Sequence, residues 1–167
     1  MKTLSDRYRE SKGVTSQVSD ALDDVAQCIV RKEDDSRFPE DYGPVSLTHE
    51  EQTFLTVWGA WTMANGGGAT EALDGVECQT LVDALCEVGA SEIVDTIIRL
   101  NTEIEEFERA NKELDWRKRE EKFTTLKIGP WAEDDRVFFE PEDRIPRILV
   151  EYLLRNQSQI FLEGYET

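Results

Sequence analysis

The apolar residues of this chain recur at intervals of three and four, which is the spacing that lines one face of an α-helix. Segments with this spacing follow one another, separated by glycine, proline and charged residues. No segment alternates between apolar and polar residues long enough to establish a strand. The sequence therefore predicts an all-α fold, a single compact helical domain of five or six helices, with room for one short hairpin near residues 122–128 or 136–140.

Helix boundaries follow from local start and stop signals. Thr48 and Glu51 are spaced as a capping box, and Gly66 and Gly89 stand where helices should stop. Ser91 is expected to cap the helix after Gly89. The predicted helices are 15–31, 48–66, 77–88, 91 to as far as about 119, and 144 or 146 to 162, with a loop over 33–46.

The large apolar residues in phase on these helices are the candidate core. We expect the following to be largely buried: Trp58, Trp61, Leu81, Leu85, Ile97, Ile104, Leu149 and Leu153. A chain of 167 residues is long enough for one core and short for two. The predicted organisation is thus one domain over 1–167, with an N-terminal helix and loop (1–45) before the larger part (46–167).

The cysteines and the N-terminal composition bear on the cellular compartment. The chain has three cysteines, and Cys78 and Cys86 fall in one predicted helix, too far apart along its axis for a disulfide. Reduced, buried cysteines are expected. No apolar run approaches the length of a membrane span, and no secretory signal is visible at the N-terminus. A cytoplasmic protein that does not enter the membrane is expected.

Charge is the sequence feature that bears most on function. The chain has 36 acidic and 19 basic residues, a net charge of −17. Residues 46–116 hold 15 acids and 3 bases, and no lysine or arginine occurs between Arg37 and Arg99. Solvated helices normally interleave opposite charges at i, i+4, and the stretch between Arg37 and Arg99 does not. Arg99 lies within i, i+4 reach of both Asp95 and Glu103, so part of the acidic row is expected to be neutralised locally. Such a field repels nucleic acid and anionic membranes and attracts basic proteins, although it also suits a merely solvated surface.

Catalytic motifs are sparse in this sequence. His49 is the one histidine, and the ligand spacings of zinc sites are missing. The glycines at 66–68 are not followed by the Lys-Ser/Thr of a phosphate-binding loop. Carboxylate pairs such as Glu103 and Glu106 could nominally act as general acid and base. Their spacing, however, is typical of the solvent-exposed side of an amphipathic helix. We therefore expect no catalytic residue, no metal site and no cofactor.

Four stretches between about 47 and 162 have a recognisable pattern. They are Leu47-Thr48-His49-Glu50-Glu51-Gln52 with Phe54-Leu55, Trp58 and Asn65-Gly66-Gly67; the run Leu81-Val82-Asp83-Ala84-Leu85-Cys86-Glu87-Val88-Gly89-Ala90; Asp134-Asp135-Arg136-Val137-Phe138-Phe139; and Ile148-Leu149-Val150-Glu151-Tyr152-Leu153 with Asn156. Together these stretches resemble the bacterial DNA mimic protein nineteen family. The resemblance implies an all-helical domain whose acidic side chains imitate a DNA backbone and occupy the DNA-binding site of a regulator.

The leading hypothesis is a non-catalytic acidic inhibitor that covers the basic, nucleic-acid-type site of a partner protein and does not bind nucleic acid itself. The predicted partner-binding residues are Glu77, Asp83, Glu87, Glu92, Asp95, Glu103 and Glu106, with Glu133, Asp134 and Asp135 as a second acidic group. The partner is either a DNA-binding regulator or a toxin, in which case the chain is an immunity protein. A hydrolase that uses carboxylate pairs and an acidic structural subunit are the remaining alternatives.

Overall fold

A computed structural model describes residues 16–36, 47–139 and 144–160, and every regular element in these residues is helical. The elements are α1 (Ser16–Ser36), α2 (His49–Gly67), the 3₁₀ helix η1 (Ala69–Leu73), α3 (Cys78–Val88), the 3₁₀ helix η2 (Ser91–Ile93), α4 (Val94–Asn111), α5 (Trp116–Lys127), α6 (Ala132–Phe139) and α7 (Arg144–Arg155). The all-α prediction is confirmed, and the described residues contain seven α-helices rather than five or six. The possible hairpin is wrong, because 122–127 and 136–139 are helical.

Two predicted boundaries are confirmed in atomic detail. The Thr48 N–H donates to Glu51 Oε2 at 2.9 Å, and the Glu51 N–H donates to Thr48 Oγ1 at 3.2 Å, which is the reciprocal capping box. Gly89 has φ 98° and ψ 23°, the left-handed conformation that ends α3, and its N–H donates to the carbonyls of Leu85 and Cys86. Both motifs were readable because they depend on residues at most four apart.

Other boundaries differ from the prediction. The helix expected to run from 91 toward 119 is two helices, because Asp115 caps a new helix by accepting a hydrogen bond from the Lys118 N–H. Ser91 does not cap α4; it is the first residue of η2. Helix α7 ends at Arg155 instead of 162, and α1 continues to Ser36, so the predicted loop cannot begin at 33. The rest of that loop, 37–46, lies outside the described residues.

Contacts group the chain into two units. One unit is Met1–Trp58 with Asp143–Thr167, and the other is Gly59–Glu142. This grouping does not follow the expected subdivision at residue 45, and the single domain over 1–167 stays a prediction. The division falls inside α2, between Trp58 and Gly59.

In the first unit, α1 packs on α7. Val18, Leu22, Val25 and Ile29 are fully buried on α1, as are Leu149 and Val150 on α7. The ring of Trp58 is buried, stacks 6.4 Å from that of Phe54, and donates through Nε1 to Asp23 Oδ1 at 3.2 Å.

In the second unit, α3 packs on α4, and η1 contacts both α4 and α6.

Six of the eight residues expected in the core are buried in their respective units: Trp58, Leu81, Leu85, Ile97, Leu149 and Leu153. Trp61 and Ile104 are only partly buried.

The three cysteines are free thiols. Cys78 and Cys86 both lie in α3 without a disulfide, as their spacing predicted. The expectation that the cysteines are buried is wrong for Cys86, which is exposed, while Cys28 and Cys78 are half-buried. In the part of the chain that the structure describes, no helix combines the length and the apolar character needed to cross a membrane.

Candidate acidic interaction surface

Helices α3 and α4 form the scaffold on which most of the predicted acids lie. The connection between them is Gly89, Ala90 and η2, and a link this short makes two packed helices antiparallel neighbours. Their apolar sides face inward: Leu81 and Leu85 of α3 and Ile97 and Leu100 of α4 are buried. Acids at the intervening positions are therefore directed toward solvent.

Asp83 and Glu87 lie one turn apart on the exposed side of α3. Their spacing of four residues corresponds to about 6 Å along the helix axis. Gln79 Nε2 donates to Asp83 Oδ1 at 2.7 Å. Because this donor is a neutral amide, it orients the carboxylate without cancelling its charge.

Glu92 and Asp95 continue the acidic residues at the connected end of the helix pair. Glu92 lies in η2 and Asp95 in the first turn of α4, and both are exposed. Carboxylates at this position also interact favourably with the positive end of the helix dipole. The two acids therefore have a role in helix stability that is independent of any partner.

Glu77 and Glu106 lie at the opposite end of the pair, and both are exposed. Burial raises the pKa of the Cys78 thiol, and the carboxylates of Glu105 and Glu77 raise that pKa further. The two carboxylates act on this thiol through their charge, so Glu105 of α4 and Glu77 before α3 both lie near Cys78. Sequence reasoning missed Glu105, although it is exposed and adjacent to Glu106; its Oε1 accepts from Asn101 Nδ2 at 2.8 Å.

Glu103 and Asp134 are engaged in internal contacts. Arg99 Nη1 donates to Glu103 Oε1 at 3.1 Å, and Nη2 of the same guanidinium pairs with Asp134 Oδ1. Trp131 Nε1 donates to the other oxygen of Glu103. Hydrogen bonds to Asp134 and then to Glu103 raise the pKa of Arg99 above its usual value. One guanidinium thus pairs with both carboxylates where α6 meets α4, and the group of three side chains stays net negative.

Asp135 and Glu133 also differ in environment. Asp135 is half-buried, and its Oδ1 accepts from the Ala69 backbone N–H at 2.7 Å, which satisfies the first amide of η1. Gly68 at this contact has φ +92°, and a Cβ there would lie 3.1 Å from Asp135 Oδ1. Glu133 is exposed and accepts from Arg136 Nη1 at 3.3 Å. The second acidic group is therefore mostly internal, and it belongs to a helix.

Six of the ten predicted partner-binding residues remain as an outward set on one helix pair. We call this set the α3–α4 acidic surface: Glu77, Asp83, Glu87, Glu92, Asp95 and Glu106. Within the described residues, no group of three or more His, Cys, Asp or Glu side chains is arranged to hold a metal ion. His49 is exposed in the first turn of α2.

Comparison with protein-family models, with curated proteins and with solved structures finds no match to this chain.

Proposed function

We propose that the chain is a non-catalytic inhibitor that occupies the basic, nucleic-acid-binding site of a partner protein, with the α3–α4 acidic surface standing in for a phosphate backbone. The observation that carries the proposal is the exposure of Asp83, Glu87, Glu92 and Asp95 in a stretch of sequence without lysine or arginine. The resemblance of the sequence to a DNA mimic family points to the same function.

The physical basis is the similarity between a row of carboxylates and a row of phosphates. Arginine and lysine side chains that grip phosphate oxygens also form charge-assisted hydrogen bonds with carboxylates, and arginine does so with both oxygens. Complementary fields accelerate encounter more than they strengthen the final complex. An inhibitor of this kind should therefore bind quickly, and its complex should weaken as salt screens the charges.

The test is capture of partners by the full chain at two salt concentrations. We expect the wild-type chain to retain DNA-binding proteins at about 0.1 M salt and to lose them at about 1 M, where the screening length falls from about 10 Å to about 3 Å. The triple variant Asp83→Lys, Glu87→Lys, Glu92→Lys should retain them poorly at both. For a captured protein, surface plasmon resonance should show that the triple lysine variant binds more weakly mainly because it associates more slowly.

The matched control is Asp20→Lys, Glu113→Lys, Glu151→Lys, which changes net charge equally at three exposed acids outside the α3–α4 acidic surface. This variant should capture partners as the wild type does. If both variants lose their captured partners equally, net charge alone explains the binding, and the proposed surface is refuted. A captured partner that binds duplex DNA and this chain at the same time would refute the mimicry, and a captured toxin whose site does not bind nucleic acid would indicate an immunity role instead.

A further inference from the structure

The surface where α4 ends and α5 begins contains an open pocket of about 340 Å³. It is lined by Glu108, Trp116, Arg119, Glu120 and Phe123. This volume lies at the lower end of the range of small-ligand sites, about 300–1,000 Å³. The Trp116 side chain is 70% exposed, which is unusual because tryptophan is highly buried on average.

One wall of the pocket is fixed by aromatic packing. The Phe123 ring meets Phe107 edge to face at 5.3 Å and meets Trp131 in the same way at 5.2 Å, and both of these neighbours are buried. Phe123 is therefore held in place from within the unit. The other aromatic side chain of the pocket, Trp116, is accessible.

The three charged side chains that line the pocket do not cancel one another. Arg119 Nη1 pairs with Glu108 Oε2 at 3.0 Å, so these two lining groups neutralise each other. The remaining lining charge is that of Glu120, whose exposed side chain makes no ion pair or hydrogen bond within the described part of the chain. A pocket with an accessible indole and an uncompensated carboxylate favours a cationic guest.

The structure already contains an example of such an interaction. The guanidinium carbon of Arg117 lies 5.4 Å from the centroid of the Trp116 ring, within cation–π range. One cation of this chain thus already lies over the Trp116 ring, and a guest uses the part of the ring that stays exposed.

We infer that this pocket receives one arginine side chain of the basic partner, with its guanidinium against the Trp116 ring and beside the Glu120 carboxylate. The inference rests on the proposed function, since it assigns one anchoring contact to the same interaction. Arginine suits the pocket better than lysine because its planar guanidinium stacks on aromatic rings and matches a carboxylate with two donors. Tryptophan and arginine are also the residues that most often dominate interface energetics.

The test uses the full chain and two peptides, acetyl-Gly-Arg-Gly-amide and the same peptide with neutral citrulline in place of arginine. Binding is followed at physiological salt through the indole N–H signals of the four tryptophans in heteronuclear NMR spectra. We expect the arginine peptide to shift the Trp116 signal and the citrulline peptide to leave it in place. Trp116→Leu should abolish peptide binding, and Glu120→Gln should raise the Kd by about threefold or more, the size of a modest cation–π or ion-pair contribution.

The matched control is Glu121→Gln, which removes the same charge from the adjacent exposed residue that does not line the pocket. Its Kd should stay near the wild-type value. Equal effects of Glu120→Gln and Glu121→Gln, or equal binding of the two peptides, would overturn the inference. Since Trp116 and Glu120 are exposed, both variants should fold, and circular dichroism checks this directly.

The two proposals fail separately. The triple lysine variant at residues 83, 87 and 92 alters no pocket residue, so it should bind the arginine peptide as the wild type does while losing its captured partners. If the arginine peptide does not bind while that variant loses its partners, the pocket inference is wrong and the proposed function stands. If the peptide binds while the variant keeps its partners, the proposed function is wrong and only the arginine site remains.

Discussion

The Arg99 guanidinium pairs with two carboxylates of the second unit, those of Glu103 and Asp134. Asp134 is only 4% exposed, and its Oδ2 is buried without a hydrogen-bond partner among the described residues. Its Oδ1 depends on Arg99 for charge compensation. A buried carboxylate that loses its only cationic partner retains the desolvation cost without the compensating attraction.

Arg99→Gln should therefore lower the free energy of unfolding by about 2 kcal/mol, because it leaves the buried Asp134 charge without its ion pair. Urea unfolding followed by circular dichroism measures the change. Arg109→Gln is the control, since Arg109 lies exposed on the same helix and should cost at most about 0.5 kcal/mol through the helix dipole. Similar losses for the two variants would show that the Arg99 ion pairs are not important for stability.

At the scale of the element, the turn from α3 to α4 depends on the backbone of Gly89. Its φ of 98° lies in a region that L-residues with a side chain rarely adopt. A Cβ at this position would meet no atom of the described residues within 4 Å. The expected cost of a side chain there is therefore conformational and does not come from crowding by neighbours. A Cβ at Gly59, which lies inside α2, would likewise meet no atom of the described residues within 4 Å.

Gly89→Ala should destabilise the protein by roughly 1–2 kcal/mol, because alanine is strained in the left-handed conformation. Gly59→Ala should stabilise it by up to about 1 kcal/mol, because alanine is the better residue inside a helix. Thermal unfolding of the two variants in parallel tests the opposite signs. A Gly89→Ala variant as stable as the wild type would contradict the role given to this glycine.

At the scale of the whole molecule, the net charge of −17 opposes folding through repulsion among the acids. The ion pairs of the described residues relieve this only locally, as Arg99 does at α6 and Lys127 does at Glu71 of η1. Salt screens both repulsion and attraction between exposed charges. Where acids outnumber bases by nearly two to one, the relief of repulsion should be the larger effect.

Raising sodium chloride from about 0.05 to 0.5 M should therefore raise Tm by a few degrees, since about 1 kcal/mol corresponds to about 2–4 °C in a chain of this size. Differential scanning calorimetry gives the measurement. The variant with lysine at residues 20, 113 and 151 is less negative and should respond less. A salt-independent Tm, or one that falls, would mean that favourable ion pairs outweigh repulsion in the folded chain. A single calorimetric transition would also support the predicted single domain.

The sequence alone determined the class of the fold and several of its boundaries. Periodic apolar residues predicted all-helical structure, Thr48 with Glu51 predicted the start of α2, and Gly89 predicted the end of α3. These features are readable because a helix and its caps are governed by residues within one turn of each other. The new helix after Asp115 is equally local, but the continued helical periodicity through that region concealed it.

Only the tertiary structure decided which acids remain available to a partner. Glu103 and Asp134 both belong to the predicted acidic residues, and the structure holds them in internal contacts. The pairing of Glu103 with Arg99 spans one helical turn and is readable from the sequence. Arg99 reaches Asp134 across 35 residues, however, and Trp131 reaches Glu103 across 28. The arginine pocket likewise requires α5 to bring Arg119 to Glu108, eleven residues earlier in the chain. Pairings across 11 to 35 residues depend on how helices pack, and periodicity within a helix contains no information about that packing.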